Sequence, residues 1–174
     1  VRVSKGAPMV CRLVCFLLAL FLATPALAIK ATVTEVRSCD SILLVDDAGK
    51  NVSIRLFGVV CPNPGGGSAP PQPFSAEAVD FLRNLLPRGL PVTIHDMRLD
   101  TMGRERGHTI TLPDGALVQP ALLNAGLAWV APWHCGACGD WKKAEKKARA
   151  AGHGLWGESE PLPPWEWQEK AGTR

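Results

Sequence analysis

The chain has 174 residues, of which 47% are hydrophobic and 20% charged, with 19 Lys and Arg against 16 Asp and Glu for a formal net charge of +3. That length suits one domain of ordinary size with a single core. The small positive balance excludes the strongly basic electrostatic signature by which many nucleic-acid binders announce themselves.

Residues 1–28 carry Arg2, Lys5 and Arg12, then the apolar run LVCFLLALFLA, then Ala26-Leu27-Ala28. This is the pattern of a secretory signal with a small-residue cleavage site. The run is shorter than the roughly 20 apolar residues a spanning helix needs, and polar sequence follows at once. Cleavage after Ala28 is expected, with export to the periplasm or the exterior and no membrane attachment afterwards. Cys15 sits in mid-run without a small residue before it, which argues against lipidation, and the leading Val1 fits an alternative start or a start at Met9. The signal holds three of the basic residues and no acid, so the remaining 146 residues carry 16 charges of each sign. Any affinity for polyanions must then come from local clustering.

After the signal the pattern is mostly that of strands. ATVTEV alternates, SILLVD is a short β-rich run, DDAG supplies a turn, and NVSIRLF alternates with Val52, Ile54 and Leu56 on one side, giving a three-stranded meander. CPNPGGGSAPPQP reads as a surface loop without regular hydrogen bonding. Ser75 is the expected cap of a helix SAEAVDFLRNLL, whose Ala78, Phe81, Leu82 and Leu85 fall at helical spacing and which Pro87 and Gly89 stop. PVTIHDM and GHTITL read as a fourth and fifth strand. ALVQPALLNA reads as a second helix with Pro120 in its first turn, ended by Gly126. DWKKAEKKARAAG reads as a third, from Asp140 to Gly152, with Lys142, Lys143, Lys146 and Lys147 on a solvated face. The Pro-rich tail from Glu158 is expected to be extended, with Trp165 or Trp167 docking on the domain.

Five short strands and three helices in this order predict an α+β, mainly β architecture: a small closed or partly open five-stranded barrel of the oligonucleotide-binding (OB-fold) type with three helices packed on it. The expected division is a signal peptide at 1–28, the barrel domain at 29–157 and a tail at 158–174.

Four cysteines follow the signal, Cys39, Cys61, Cys135 and Cys138, and an even count in an exported chain favours disulfides. Cys135 and Cys138 in HCGAC are close enough to bridge locally. A zinc half-site there would need two more ligands, with only His134, His153 and distant residues to offer them. A redox CxxC normally opens a helix after a strand in a βαβ unit, and none is visible.

Several motifs taken together resemble the thermonuclease, or staphylococcal-nuclease-like, family over about Ala31 to Trp156. VTEVRSCDSILLV resembles its strand-turn-strand with Asp-Gly-Asp-Thr. RLFGVVCPN resembles its Arg-Leu-x-Gly-Ile-Asp-x-Pro-Glu, and DTMGRERGHTI its Asp-x-Tyr-Gly-Arg. NAGLAWVAPWHCGACGDWKKAEKKARAAGHGLW and PPWEW resemble the closing segment and tail of exported members with a two-cysteine insert.

The resemblance implies calcium-dependent phosphodiester hydrolysis on nucleic acid. Arg55 and Arg104 fall on the family's two phosphate-binding arginines, suited to the task because a guanidinium forks two hydrogen bonds to phosphate and stays charged. Asp40 falls on one metal-binding aspartate. Val60 replaces the other, and Asn63 replaces the glutamate that activates the attacking water. A valine cannot bind calcium, and an asparagine cannot accept a proton at neutral pH. Cys61 stands where a backbone carbonyl meets the metal, and Met102 stands in for a tyrosine. Losing a general base alone forfeits ~10²–10⁴ in rate, so the expectation is a domain that still recognises a nucleic-acid or nucleotide phosphate. Calcium would be bound weakly or not at all, and hydrolysis impaired or lost. Cys39 and Cys61 lie on turns that adjoin in the family's architecture, implying a disulfide where calcium would sit.

Other residues carry weaker readings. His95, beside Asp96, and His108 are expected to be structural. Trp129 and Trp133 suit base stacking but suit packing better. Asp100, Glu105 and Asp114 are expected to be solvated, and Asp46 or Asp47 to serve a hairpin turn unless one rescues metal binding. The alternatives left open are an active phosphodiesterase using another carboxylate, a non-catalytic envelope interaction domain, and a thiol-redox role. A monomer is expected.

Overall fold

A computed structural model of the chain describes residues 28–66, 69–98, 106–132 and 139–172. Residues 1–27, which hold nearly all of the expected signal, lie outside the described residues, as do Asp100, Met102, Arg104, Glu105, Trp133, His134, Cys135 and Cys138. The architecture is mixed α+β. Its main sheet is antiparallel with five strands in the order β3-β2-β1-β5-β6: β1 Ala28–Ser38, β2 Ser41–Asp46, β3 Asn51–Arg55, β5 Pro91–Arg98 and β6 Arg106–Thr111. A two-stranded ladder of β4, Val59–Val60, with β7, Trp129–Val130, stands apart.

The meander forms where alternation places it. Ile42 and Leu44 of β2 and Ile54 of β3 are buried on one face, as period-two patterning requires. In β1 the buried residues are Ala31, Val33 and Val36. The step from Val33 to Val36 breaks strict alternation because the register with β2 shifts between Val33 and Glu35. A bulge of this kind bends a strand and curls its sheet. Asp46 closes the β2–β3 turn by accepting the Ala48 and Lys50 amides at 3.0 and 2.8 Å, the hairpin role expected of it.

Among the described residues the barrel is not closed: the chain just past β3 meets β6 at a single parallel bridge between Leu56 and His108, with the Phe57 amide donating to the His108 carbonyl at 3.0 Å. Gly107 permits that approach: a Cβ there would sit 2.8 Å from the Phe57 Cα.

Helix α1 spans Ser75–Leu85, α2 Val118–Asn124, α3 Gly139–Ala151 and α4 Pro164–Gly172, with a 3₁₀ turn at Gly154–Gly157. Ser75 does not cap α1. Phe74, in the left-handed region at φ 64°, holds the cap position, and Ser75 is the buried first residue of the helix. The cause is upstream, where the Gln72 carbonyl accepts the Ser75 amide at 3.2 Å and turns the chain into the helix one residue early. In α2, Leu117 stays extended, so the helix opens at Val118 and Pro120 falls in its first turn. Trp141, Ala144 and Ala148 of α3 face the core and its four lysines are exposed. A hydrogen bond from Lys143 at 2.9 Å, with its positive charge, holds the exposed Asp140 carboxyl below its ordinary range, and Lys143 is raised in turn.

The tail departs from expectation. It is not extended throughout, because α4 begins at Pro164, and the Pro163 carbonyl accepts the Glu166 and Trp167 amides at 3.0 and 2.9 Å. A proline at the first helical position loses no hydrogen bond and has its φ already set, so proline content that reads as polyproline here starts a helix. Among the described residues there are four α-helices where three were expected. Among the described residues no helix is long and apolar enough to cross a membrane.

Candidate functional site

The site is built from two turns and a strand end. Ser38 pairs with Ser41 across β1 and β2, so Cys39 and Asp40 form the tip of a tight hairpin. Ser41 pairs in turn with Arg55 at the end of β3. That register puts Arg55 beside Asp40, whose carbonyl also accepts the Leu56 amide at 2.8 Å. The Asp40 carboxylate accepts the Ser38 hydroxyl at 2.7 Å through Oδ1 and meets Arg55 Nε at 3.2 Å through Oδ2. The Arg55 side chain is 73% exposed. The pair uses Nε, one of the guanidinium's three nitrogens.

Cys39 and Cys61 are joined by a disulfide with their Cα atoms 5.9 Å apart. The bridge fastens the hairpin tip to the loop leaving β4 and forms part of a cleft of about 320 Å³, into which Asp40, Arg55, Val60, Asn63 and Pro164 also converge. Asn63 is committed to its own turn. Its Oδ1 accepts the Gly65 amide at 2.9 Å, its amide donates to Gln72 Oε1 at 2.9 Å, and its carbonyl accepts the Gln72 amide at 2.8 Å. An Asn side chain that bonds its own backbone two residues on is a turn device.

Among the described residues lining the cleft, Asp40 supplies the one carboxylate. Calcium takes six to eight oxygens, usually with several carboxylates. Asp40 is already engaged by Ser38 and Arg55, and Val60 adds no oxygen side chain. This donor set does not fit a calcium ion.

The remaining candidates separate cleanly. His95 Nε2 lies 3.1 Å from Thr111 Oγ1, a cross-strand contact away from the cleft. Trp129 is 2% exposed and packs edge-to-face on Trp156, over which the Arg149 guanidinium sits at 3.8 Å. It is a core residue, unavailable to stack a base. Asp114 accepts the Ala116 amide at 2.9 Å in a turn. Sequence reasoning missed Gln72 and Pro164. The only signal for the first is a lone amide among prolines, and nothing in local sequence brings the second to residue 63.

The family model described as staphylococcal nuclease homologue matches residues 53–158, from within β3 to the start of the tail. The chain belongs to the staphylococcal nuclease homologue family. A protein of Escherichia coli O157:H7 named "Uncharacterized endonuclease" is 30% identical over 142 residues, covering 82% of this chain and 86% of that one. A Capnoides sempervirens protein named "Uncharacterized 38.1 kDa protein" is 35% identical over 127 residues. One from Oryza sativa subsp. japonica named "Probable staphylococcal-like nuclease CAN1" is 32% identical over 123. The chain spans about a third of each plant protein, 34% and 33%.

Proposed function

We propose that this staphylococcal nuclease homologue is an exported domain that recognises a nucleic-acid or nucleotide phosphate in the Arg55 cleft, with Arg104 as the second guanidinium, and that its calcium-dependent hydrolysis is impaired or lost. The observation that carries the reading is the cleft's composition: among the described residues an exposed guanidinium stands beside a single carboxylate, with Val60 and Asn63 lining the same space. Phosphodiester cleavage needs compensation of phosphate charge and also activation of a water. Arg55 supplies the first. For the second, Asn63 has no proton-accepting group and its oxygen is spent on Gly65. The Cys39–Cys61 disulfide supports export, since such bridges persist in oxidising compartments.

The test is incubation of the chain without its signal with single-stranded DNA and RNA, in calcium or in chelator. The expected result is no calcium-dependent cleavage above background. Brisk cleavage that chelator abolishes overturns the loss of hydrolysis and favours an active phosphodiesterase drawing on another carboxylate.

A second reading has its own observation. The Arg55–Asp40 pair can be purely structural, as in a non-catalytic interaction domain, and a phosphate probe would then fail to bind at any salt concentration.

A further inference from the structure

Gln72 is a polar side chain only 3% exposed, and a buried amide needs partners for both its donor and its acceptor. It finds them in two segments far apart in the chain. Oε1 accepts the Asn63 amide at 2.9 Å, and Nε2 donates to the Leu162 carbonyl at 2.6 Å, across 90 residues of sequence. The Gln72 backbone amide adds a bond to the Asn63 carbonyl. One side chain therefore fixes the turn carrying Asn63 and the tail leading into α4 in a single network, and such networks bind their members together. Behind it Trp167, Leu155 and Pro73 share a small groove with Gln72, so the start of α4 is packed as well as tethered. The result is that Pro164, the buried first residue of α4, stands in the wall of the same cleft as Arg55 and Asp40.

We propose that Pro164, at the start of the helix that the Gln72-tethered tail leads into, is a specificity wall that makes the cleft prefer a short or terminal phosphate ligand over a continuous strand. This rests on the reading of the cleft as a phosphate site. A nucleotide that ends within the cleft needs no exit past Pro164, whereas a longer strand must displace the wall or bend away from it.

The experiment measures affinity of the full chain for a nucleoside 3′,5′-bisphosphate and for a single-stranded oligodeoxynucleotide blocked against terminal recognition. Each is repeated with Gln72→Met, which removes the tether, and with Pro164→Gly, which trims the wall and leaves Gln72 in place. The expected result is a shift of about threefold to tenfold in favour of the oligonucleotide relative to the bisphosphate in both variants, the scale of one or two hydrogen bonds. A parallel loss for both ligands, the signature of a merely structural role, overturns the proposal, as does an unchanged ratio. Failure of the unaltered chain to bind either ligand at low salt removes the phosphate reading itself, and the wall with it. If Gln72→Met does not fold, Pro164→Gly decides alone.

Discussion

Arg55 meets Asp40 through Nε, so in the proposed reading the ion pair orients the guanidinium and the Nη groups serve the phosphate. An exposed pair of this kind contributes at most about 1 kcal/mol to stability, whereas a charge-assisted contact to phosphate is worth roughly 1.5–3 kcal/mol. Arg55→Ala should therefore leave the thermal midpoint nearly unchanged while weakening nucleoside bisphosphate binding by about 10- to 100-fold; equal affinity in the two proteins would assign the arginine to structure. Positions 60 and 63 carry the complementary prediction. Val60→Asp with Asn63→Glu restores two carboxylates to the cleft, and calcium-dependent cleavage of single-stranded DNA should rise by ~10²-fold or more over the unaltered chain. The second change also removes the bond from the Gly65 amide, at about 1 kcal/mol, so circular dichroism must accompany the assay. A folded variant with no gain would contradict the assignment of these positions. These residues were legible in the sequence because Arg55, Gly58 and Pro62 frame them within one short motif. Gln72 was not, since its meaning depends on a carbonyl 90 residues away.

The elements that hold the site are short and depend on cross-links. A two-residue hairpin tip would be a loose support for Asp40 were it not bonded through Cys39 to the loop at Cys61. A bridge spanning 22 residues stabilises by about 3 kcal/mol in the chain-entropy account. Cys39→Ser with Cys61→Ser should lower the urea-unfolding free energy by that order, and dithiothreitol should reproduce the loss in the unaltered chain. Identical unfolding curves with and without reductant would mean the bridge does not form in solution. Strands β1, β2, β3, β5 and β6 and helices α1, α2 and α3 were all readable from periodicity and turn residues, to within a few positions at their ends. What escaped had no periodic signal. The β4–β7 ladder has two residues per strand, too few to alternate, and α4 hides behind a Pro-rich stretch whose prolines permit either an extended chain or a helix start. The bulge in β1 was invisible for the opposite reason: Val33 and Glu35 look like regular strand residues until a partner strand shows the shift.

At the scale of the whole molecule, the OB-like sheet, the α1 entrance and the C-terminal segment meet at one cleft, and the fold is arranged so that each contributes a wall. Net charge gives the ligand little attraction, because residues 29–174 balance at 16 of each sign. Recognition must rest on a few well-placed groups and should weaken as salt screens them. The pairing of a retained guanidinium with a donor set unfit for calcium makes the account specific, and one titration addresses both halves. Calorimetry of a nucleoside 3′,5′-bisphosphate against residues 29–174, at low salt, is run once in chelator and once in excess calcium. The account predicts saturable binding with the same affinity in both. Binding that appears only with calcium, or none in either, would contradict it.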